Sequence, residues 1–255
     1  MPWSTKEKRL SLGETDSAFF LMYFRNLVPY PHLVKWLDHA QENRFAWISG
    51  PRDYGKTEAA VSIVVRELIY NPGAKIAFVA GVGSSARRRA DKILQATQSA
   101  SWELDVDYSP EAVNCVARGY ELDGDTKYDL IVLDDVVATR RSHIAQRALG
   151  RGEEEAVLKA LAPTGRVVGF GPMCLVSGCV HRVDPAFTGP VPKHTLHHGV
   201  AEDGRPVIER VELHEHPTTL APDLRSVDYL LKQRYYTGTK MFDEEYMLVA
   251  QQWTE

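Results

Sequence analysis

The sequence has few cysteines and no long hydrophobic run. Its three cysteines, Cys115, Cys174 and Cys179, are an odd number without the spacing of a disulfide framework, so reduced thiols are expected. No stretch approaches the roughly 18 uncharged apolar residues that a membrane-spanning helix needs. The N-terminal MPWSTKEKRL carries charges where a signal peptide would be apolar. We therefore expect a soluble, cytoplasmic protein with no membrane partner.

An excess of positive charge is also lacking. The 30 Lys and Arg residues are outnumbered by 34 Asp and Glu residues, which gives a formal net charge of −4. Any contact with nucleic acid therefore has to come from a local basic patch and not from an overall field. Hydrophobic residues make up 44% and charged residues 25% of the 255 positions, which is typical of one globular domain or two closely joined ones.

Short apolar runs alternate with helical patterns over the first two-thirds of the chain, which is typical of an α/β fold. The run YDLIVLDDVV is apolar on both faces, as expected for a strand in the centre of a covered parallel sheet. Proline, glycine and histidine become frequent after Pro172, so we expect a core at 1–172 and a small lid or linker subdomain at 173–255. The patterns predict strands at 45–49, 75–81, 112–117, 128–137 and 166–171, and helices at 57–70, 85–97, about 142–161, and in SVDYLLKQRYY and KMFDEEYMLVAQQ.

The segment GPRDYGKT at 50–57 fits the phosphate-binding loop G-x-x-x-x-G-K-[ST]. In such a loop, backbone N–H groups and the following helix N-terminus bind phosphates, Lys56 reaches the β- and γ-phosphates, and Thr57 supplies its hydroxyl to Mg²⁺. A plain glycine-containing turn is the alternative, but the motif lies between a predicted strand and a predicted helix, as it requires. We expect a P-loop NTPase that uses ATP and Mg²⁺. The expected nucleotide-binding residues of this segment are Gly50, Pro51, Arg52, Asp53, Tyr54, Gly55, Lys56, Thr57 and Glu58.

Two carboxylates, Asp134 and Asp135, follow the apolar strand YDLIVL, where a parallel sheet ends beside the nucleotide crevice. The first is expected to hold Mg²⁺, mostly through water, and the second to orient and deprotonate the attacking water. A solvated turn or a helix cap is the alternative for this pair. An Asn-Lys-x-Asp guanine-reading motif is absent from the sequence, which argues against a GTPase.

The string PYPHLVKWLDHAQENRFAWISGPRDYGKTEAAVSIVV, the strand ending LDDVV, and the segments TGRVVGFGP and YYTGTKMFDEEYM together resemble the ATPase domain of the large terminase subunit of tailed bacteriophages. The resemblance covers most of the chain and is strongest over 30–66 and 128–172. It implies an ATP-hydrolysing motor that moves double-stranded DNA into a procapsid in the cytoplasm of the bacterial host. The implied partners are the portal protein, the small terminase subunit and further copies of the chain, which form a ring on the procapsid.

The resemblance also implies roles for single residues. Arg52 matches an arginine of the family's phosphate loop and would stabilise the γ-phosphate, which makes Arg52, Lys56 and Asp135 the expected catalytic residues. An exposed arginine at a turn is the alternative for Arg52. Tyr30 and His32 match the segment that frames adenine, with packing or helix capping as the alternative. The nuclease domain that the family normally adds is not expected, because too few residues follow Pro172.

Several arginines are candidates for contacts with DNA or with a neighbouring subunit. Arg87, Arg88 and Arg89 begin the predicted helix after the second strand, a place that often faces nucleic acid in helicase-like ATPases. The resemblance also implies a cation that reaches into a neighbouring subunit's site, and Arg140 and Arg141 rank slightly ahead of Lys127 and Arg118 for this role. A solvated surface charge is the alternative for each of them.

Three further interpretations stay open from the sequence. The cysteines and histidines at 174–198 contain ligand types for zinc, but their loose spacing favours histidines that decorate loops. A helicase-like DNA-dependent ATPase is the first rival function. An ATP-binding assembly or scaffold protein without turnover is the second.

Overall fold

The structure, a computed structural model, describes residues 5–81, 83–101, 112–117, 122, 126–136, 154–171, 176–188, 194–200, 206–213 and 218–248. The chain divides into two compact units. Unit 1 comprises Met1–Ser49 and Gly55–Arg182, and unit 2 comprises Gly50–Tyr54 and Val183–Glu255. Unit 2 thus contains part of the phosphate-loop sequence together with the C-terminal segment, which begins eleven positions after the residue 172 where the sequence predicted the core to end.

Unit 1 is built on a mainly parallel sheet with helices around it. Its strands are β1 (Phe45–Ser49), β2 (Ile76–Ala80), β3 (Val113–Ala117), β4 (Tyr128–Asp134), β5 (Leu161–Phe170) and β6 (Val180–Val183), the last of which ends at the first residue of the C-terminal segment of unit 2. Its helices are α1 (Lys6–Thr15), α2 (Ser17–Phe19) with a π-helical turn (Phe20–Phe24), α3 (Pro31–Glu42), α4 (Lys56–Tyr70), α5 (Gly83–Ser101) and α6 at 154–160.

The strand order β3-β2-β4-β5-β1-β6 places β4 inside the sheet. Its neighbours β2 and β5 both run parallel to it, and Leu130–Leu133 are buried. This burial is what a strand that is apolar on both faces requires, because helices cover both sides of a parallel sheet. The structure therefore confirms the α/β fold with a mainly parallel central sheet.

The registers of the parallel strands bring their carboxyl ends to one edge of the sheet. Asp134 pairs with Ala80 on one side and with Phe170 on the other, and Phe170 pairs with Ile48. Gly171, the residue after β5, ties the ends of β5 and β1 together. Its carbonyl oxygen accepts hydrogen bonds from Trp47 Nε1 at 3.0 Å and Ser49 Oγ at 2.8 Å. The edge where β1, β2, β4 and β5 end is therefore a single, well-packed surface.

Unit 2 contains two small antiparallel strand pairs and two helices. Its elements are β7 (Phe187–Thr188) paired with β10 (Thr218–Thr219), β8 (His194–Val200) paired with β9 (Pro206–Leu213), α7 (Val227–Thr237) and α8 (Thr239–Glu245). Phe242 stacks on Tyr246 with ring centroids 4.9 Å apart and meets Phe187 at 6.3 Å, so α8 packs on the β7 strand through aromatic rings. Among the described residues, no helix is both long and apolar enough to span a bilayer.

Candidate functional site

The second half of the phosphate-loop sequence forms the start of α4. Gly55 precedes the helix with φ 88° and ψ 22°, a left-handed conformation that glycine adopts without steric cost. A Cβ at this position would lie 3.3 Å from Leu33 Cδ2, which leaves little room for a side chain. Lys56 and Thr57 are therefore the first residues of α4, where backbone N–H groups have no intrahelical acceptor and the helix dipole is positive. This end of α4 is suited to anions.

Thr57 meets the end of β4. Its Oγ1 donates a hydrogen bond to Oδ2 of Asp134 at 3.1 Å, and the Asp134 side chain is only 1% exposed. A hydroxyl and a carboxylate are oxygen ligands of the type that Mg²⁺ takes when phosphates and waters complete its coordination. The donor set of Thr57 and Asp134 thus fits the metal that the sequence predicted for these two residues.

Asp134 also holds an arginine for which the sequence predicted another role. Nε of Arg89, on the second turn of α5, donates to the same Oδ2 at 2.8 Å. The Arg89 side chain is 20% exposed, so the ion pair is largely removed from solvent. Arg89 was predicted to contact DNA or a neighbouring subunit, but in the structure its guanidinium is engaged by Asp134, because a buried carboxylate without a compensating charge is costly.

Asp135 lies in a strained turn directly after β4. Its φ is 54°, its side chain is exposed, and its backbone N–H donates to the Phe170 carbonyl oxygen at 3.1 Å. Aspartate is among the few residues that tolerate this left-handed conformation. On the other side, the Asp135 carbonyl packs on Gly81, where a Cβ would come within 2.4 Å of the oxygen. Gly81 was not among the predicted site residues, although a glycine directly after a strand is a signal of close backbone approach.

Glu58 takes part in an ion-pair network. Its carboxylate contacts Lys92 on α5 and lies 3.6 Å from the guanidinium of Arg25. Arg25 is 6% exposed and donates from Nε to Ser62 Oγ at 3.0 Å. Burial lowers the pKa of Arg25, and the charge of Glu58 acts in the opposite direction. The structure gives the Glu58 carboxylate two cationic partners, one of which ties α4 to α5. A position of Glu58 beside the nucleotide stays a prediction.

Tyr30 and His32 stack at the start of α3. Their ring centroids are 5.9 Å apart with planes inclined by 20°, and His32 meets Trp36 edge-on at 4.9 Å. Leu33, the next residue, is the closest neighbour of a Cβ placed on Gly55. The first turn of α3 therefore lies beside the start of α4. The burial of His32 fits the packing alternative, and contact of Tyr30 and His32 with adenine stays a prediction.

The first half of the phosphate-loop sequence is held within unit 2. Arg52 donates from Nη1 to Glu245 Oε2 at 2.9 Å, and its backbone N–H donates to the Glu245 carbonyl oxygen at 3.0 Å. The hydrogen bond and the charge of Glu245 raise the pKa of Arg52. The Tyr229 hydroxyl donates to Asp53 Oδ2 at 3.4 Å, and burial raises the pKa of Tyr54 to about 12. Gly50 and Pro51 are buried, so most of this half is anchored, with the Arg52 charge balanced by Glu245.

The other predicted cations that the structure describes are Arg87, Arg88 and Lys127. Arg87 and Arg88 are exposed on α5, and Arg88 Nη2 donates to Ser85 Oγ at 3.3 Å. Lys127 donates from Nζ to the Lys159 carbonyl oxygen. Within the part of the chain that the structure describes, no three His, Cys, Asp or Glu side chains are grouped to hold a metal. Some of the predicted positions lie outside the described residues: Arg118, Arg140, Arg141 and Cys174.

The central parallel sheet, the covering helices and the loop between β1 and α4 define a P-loop NTPase fold. Among solved structures, the chain is similar to the large terminase ATPase domain of Thermus phage P74-26, solved as an arginine-to-alanine mutant. The TM-score is 0.54 and the identity 13%, over 90% of this chain and 97% of that chain. Neither the protein-family models nor the curated proteins contain a match. At this identity the likeness shows the fold, and it is the fold that the resemblance predicted.

Proposed function

We propose that this chain is the ATP-hydrolysing motor domain of a phage large terminase, which drives double-stranded DNA into a procapsid in the cytoplasm of the bacterial host. The observation that carries the proposal is the hydrogen bond between Thr57 and Asp134. It joins the residue that ends the phosphate-loop motif to the carboxylate at the end of β4, the two positions that hold Mg²⁺ in nucleotide-hydrolysing P-loop proteins. The shared fold with a terminase ATPase domain supports the same function.

The residues at the start of α4 bind the triphosphate in this proposal. Lys56 and the backbone N–H groups of the first turn neutralise the β- and γ-phosphates. Thr57 and Asp134 would hold Mg²⁺, which would neutralise charge on the phosphates. Arg52, in the x-positions of the same loop, stabilises the charge that develops on the γ-phosphoryl group.

Asp135 is the residue that activates water. Asp135 is exposed to solvent just after the carboxyl end of β4, where water can reach its carboxylate, and it follows Asp134 directly. The turn at φ 54° is fixed by the Phe170 carbonyl and by Gly81, so the orientation of Asp135 does not depend on the nucleotide. Such a pre-set base orients the attacking water and accepts its proton.

The test is Asp135→Asn, because asparagine tolerates the left-handed conformation as well as aspartate does and removes only the charge. We expect the rate of phosphate release to fall by about 10²-fold or more, with the affinity for a non-hydrolysable ATP analogue and the melting temperature unchanged. Asp129→Asn is the matched control, because Asp129 lies near the opposite end of β4, where it accepts a hydrogen bond from the Lys75 backbone N–H at 2.9 Å. Equal turnover by wild type and Asp135→Asn would refute the role of Asp135.

The rival functions give different results in the same assays. A scaffold protein would bind ATP and release no phosphate above background in the wild type. A helicase-like enzyme would separate the strands of duplex DNA, whereas a packaging motor is expected to be stimulated by duplex DNA without unwinding it. These rates are to be measured at several protein concentrations, because an arginine from a neighbouring ring subunit contributes to turnover in the proposed assembly.

A further inference from the structure

The carboxylate of Asp134 has two donors on one oxygen. Thr57 Oγ1 approaches Oδ2 at 3.1 Å and Arg89 Nε approaches it at 2.8 Å. The hydroxyl belongs to α4 and the guanidinium to α5, so two helices converge on the last residue of β4. With the Asp134 side chain only 1% exposed, solvent contributes little to stabilising its charge.

The positive charge of Arg89 lies against the carboxylate that a divalent cation would also need. A buried carboxylate is stable only beside a compensating charge, and in this structure the guanidinium supplies it. Mg²⁺ held by Thr57 and Asp134, directly or through water, would put a second, doubly charged cation near the same carboxylate, where like charges repel. The two cations therefore compete for Asp134.

We propose that Arg89 is the resident counter-ion of Asp134 in the nucleotide-free protein and that a divalent metal displaces it. A metal on its own then has to break a largely buried ion pair, whereas a metal that arrives with nucleotide gains phosphate ligands that offset this loss. Arg89 thereby weakens metal binding, and the phosphate ligands of a nucleotide offset this loss. This inference rests on the proposed function, because it takes Asp134 as a metal ligand.

The first experiment compares stability with and without the metal. Wild type, Arg89→Gln and Arg87→Gln are unfolded in urea, once with EDTA and once with saturating MgCl₂ and ADP. Arg89→Gln is expected to lower the urea midpoint in EDTA and to lose most of this deficit with Mg·ADP. Arg87→Gln, a charge removal on an exposed position of the same helix, is expected to match wild type in both conditions. A purely structural ion pair would give Arg89→Gln the same deficit in both.

The second experiment measures metal affinity directly, by titrating Mn²⁺ into protein with and without ADP. Because a variant that destabilises only the metal-free state must bind metal more tightly, we expect Arg89→Gln to tighten Mn²⁺ binding by about ten-fold or more. The gain is expected both with ADP and with Mn²⁺ alone. Arg89→Lys keeps the charge as a single point donor and is expected to fall between wild type and Arg89→Gln. If Arg89→Gln does not fold, the Arg89→Lys comparison decides.

The outcomes separate this inference from the proposed function. If wild type is stabilised by Mg·ADP but Arg89→Gln shows an equal deficit in both conditions, or binds Mn²⁺ equally or more weakly, the exchange is refuted while the nucleotide site stands. If wild type takes up no metal-nucleotide complex at all, the proposed function fails and the exchange fails with it.

Discussion

The substitution Gly81→Ala is expected to displace the turn that carries Asp135. A Cβ on Gly81 would lie 2.4 Å from the Asp135 carbonyl oxygen, whereas a comfortable C···O contact is about 3.3 Å. A displacement of about 0.9 Å is therefore needed. The paired strands β2 and β4 resist it, because Ala80 is held in register with Asp134. The movement has to be taken up by the turn after β4.

Two effects follow from this displacement. Insertion of a methyl group into a packed site costs about 1–3 kcal/mol of folding free energy, which lowers the melting temperature by about 2–4 °C per kcal/mol in a chain of this size. Separately, a misplacement of about 1 Å at a reacting group can cost on the order of 10²-fold in rate. We expect Gly81→Ala to lose turnover by roughly that factor while it retains affinity for a non-hydrolysable ATP analogue.

The matched control is Gly73→Ala in the turn after α4. Gly73 has φ 91°, and no heavy atom lies within 4 Å of the place that a Cβ would take, so alanine there meets backbone strain without a clash. The strain costs about 1–2 kcal/mol, comparable with the expected cost at Gly81, but leaves Asp135 in place. Calorimetry and a phosphate-release assay on both variants test the reasoning. Wild-type stability and turnover in Gly81→Ala would refute it, as would an equal loss of turnover in Gly73→Ala.

Three further outcomes are expected. Thr57→Val removes the hydroxyl that is proposed as a metal ligand, and it is expected to weaken Mg²⁺ binding in the presence of ADP by about ten-fold, measured by metal titration; unchanged affinity would argue against Thr57 as a ligand. Glu245→Gln is expected to change stability by no more than about 1 kcal/mol, because Arg52 is 56% exposed. It should tighten binding of an ATP analogue, measured by calorimetry, since the Arg52 charge is no longer neutralised; weaker binding would contradict this. Burial raises the pKa of Cys115 from its ordinary value of 9.0 to about 11, so its stabilising contribution is complete below pH 9 and is lost as the pH rises towards 11. Iodoacetamide labelling of Cys115, followed by mass spectrometry, should rise until about pH 11 in the folded protein, and a plateau near pH 9 would show that the pKa is not raised.

The central sheet was predictable because its strands carry a local signal. The run of β4 is apolar at consecutive positions, which only a strand covered on both faces can bury. The limits of β1 were predicted without error at 45–49, since the phosphate-loop glycine ends the apolar run. The end of β4 was predicted three residues too late. The left-handed conformation of Asp135 ends the strand, but the apolar residues after Asp135 make the sequence read as if the strand continued.

Contacts between distant segments were not predictable from such signals. Arg52 and Glu245 are separated by 193 positions, and no period or motif connects them. The same holds for Glu58, whose partners are Arg25 in a loop and Lys92 in a helix. The sequence pattern predicts each element separately and does not show that they meet. Ion pairs of this kind depend on tertiary packing between the elements, and local hydrophobic patterns contain no information about that packing.

The burial of Arg89 was partly predictable from the sequence, because the helical period distinguishes Arg89 from the arginines beside it. The buried face of α5 contains Ala86, Ile93 and Ala96. Arg89 lies three positions after the first of these and four before the second, so it belongs to the same stripe. Arg87 and Arg88 lie off it and are exposed. Consecutive residues on a helix point about 100° apart, so the three arginines do not share one face of α5. Arg89, on the apolar stripe, pairs with the buried carboxylate of Asp134.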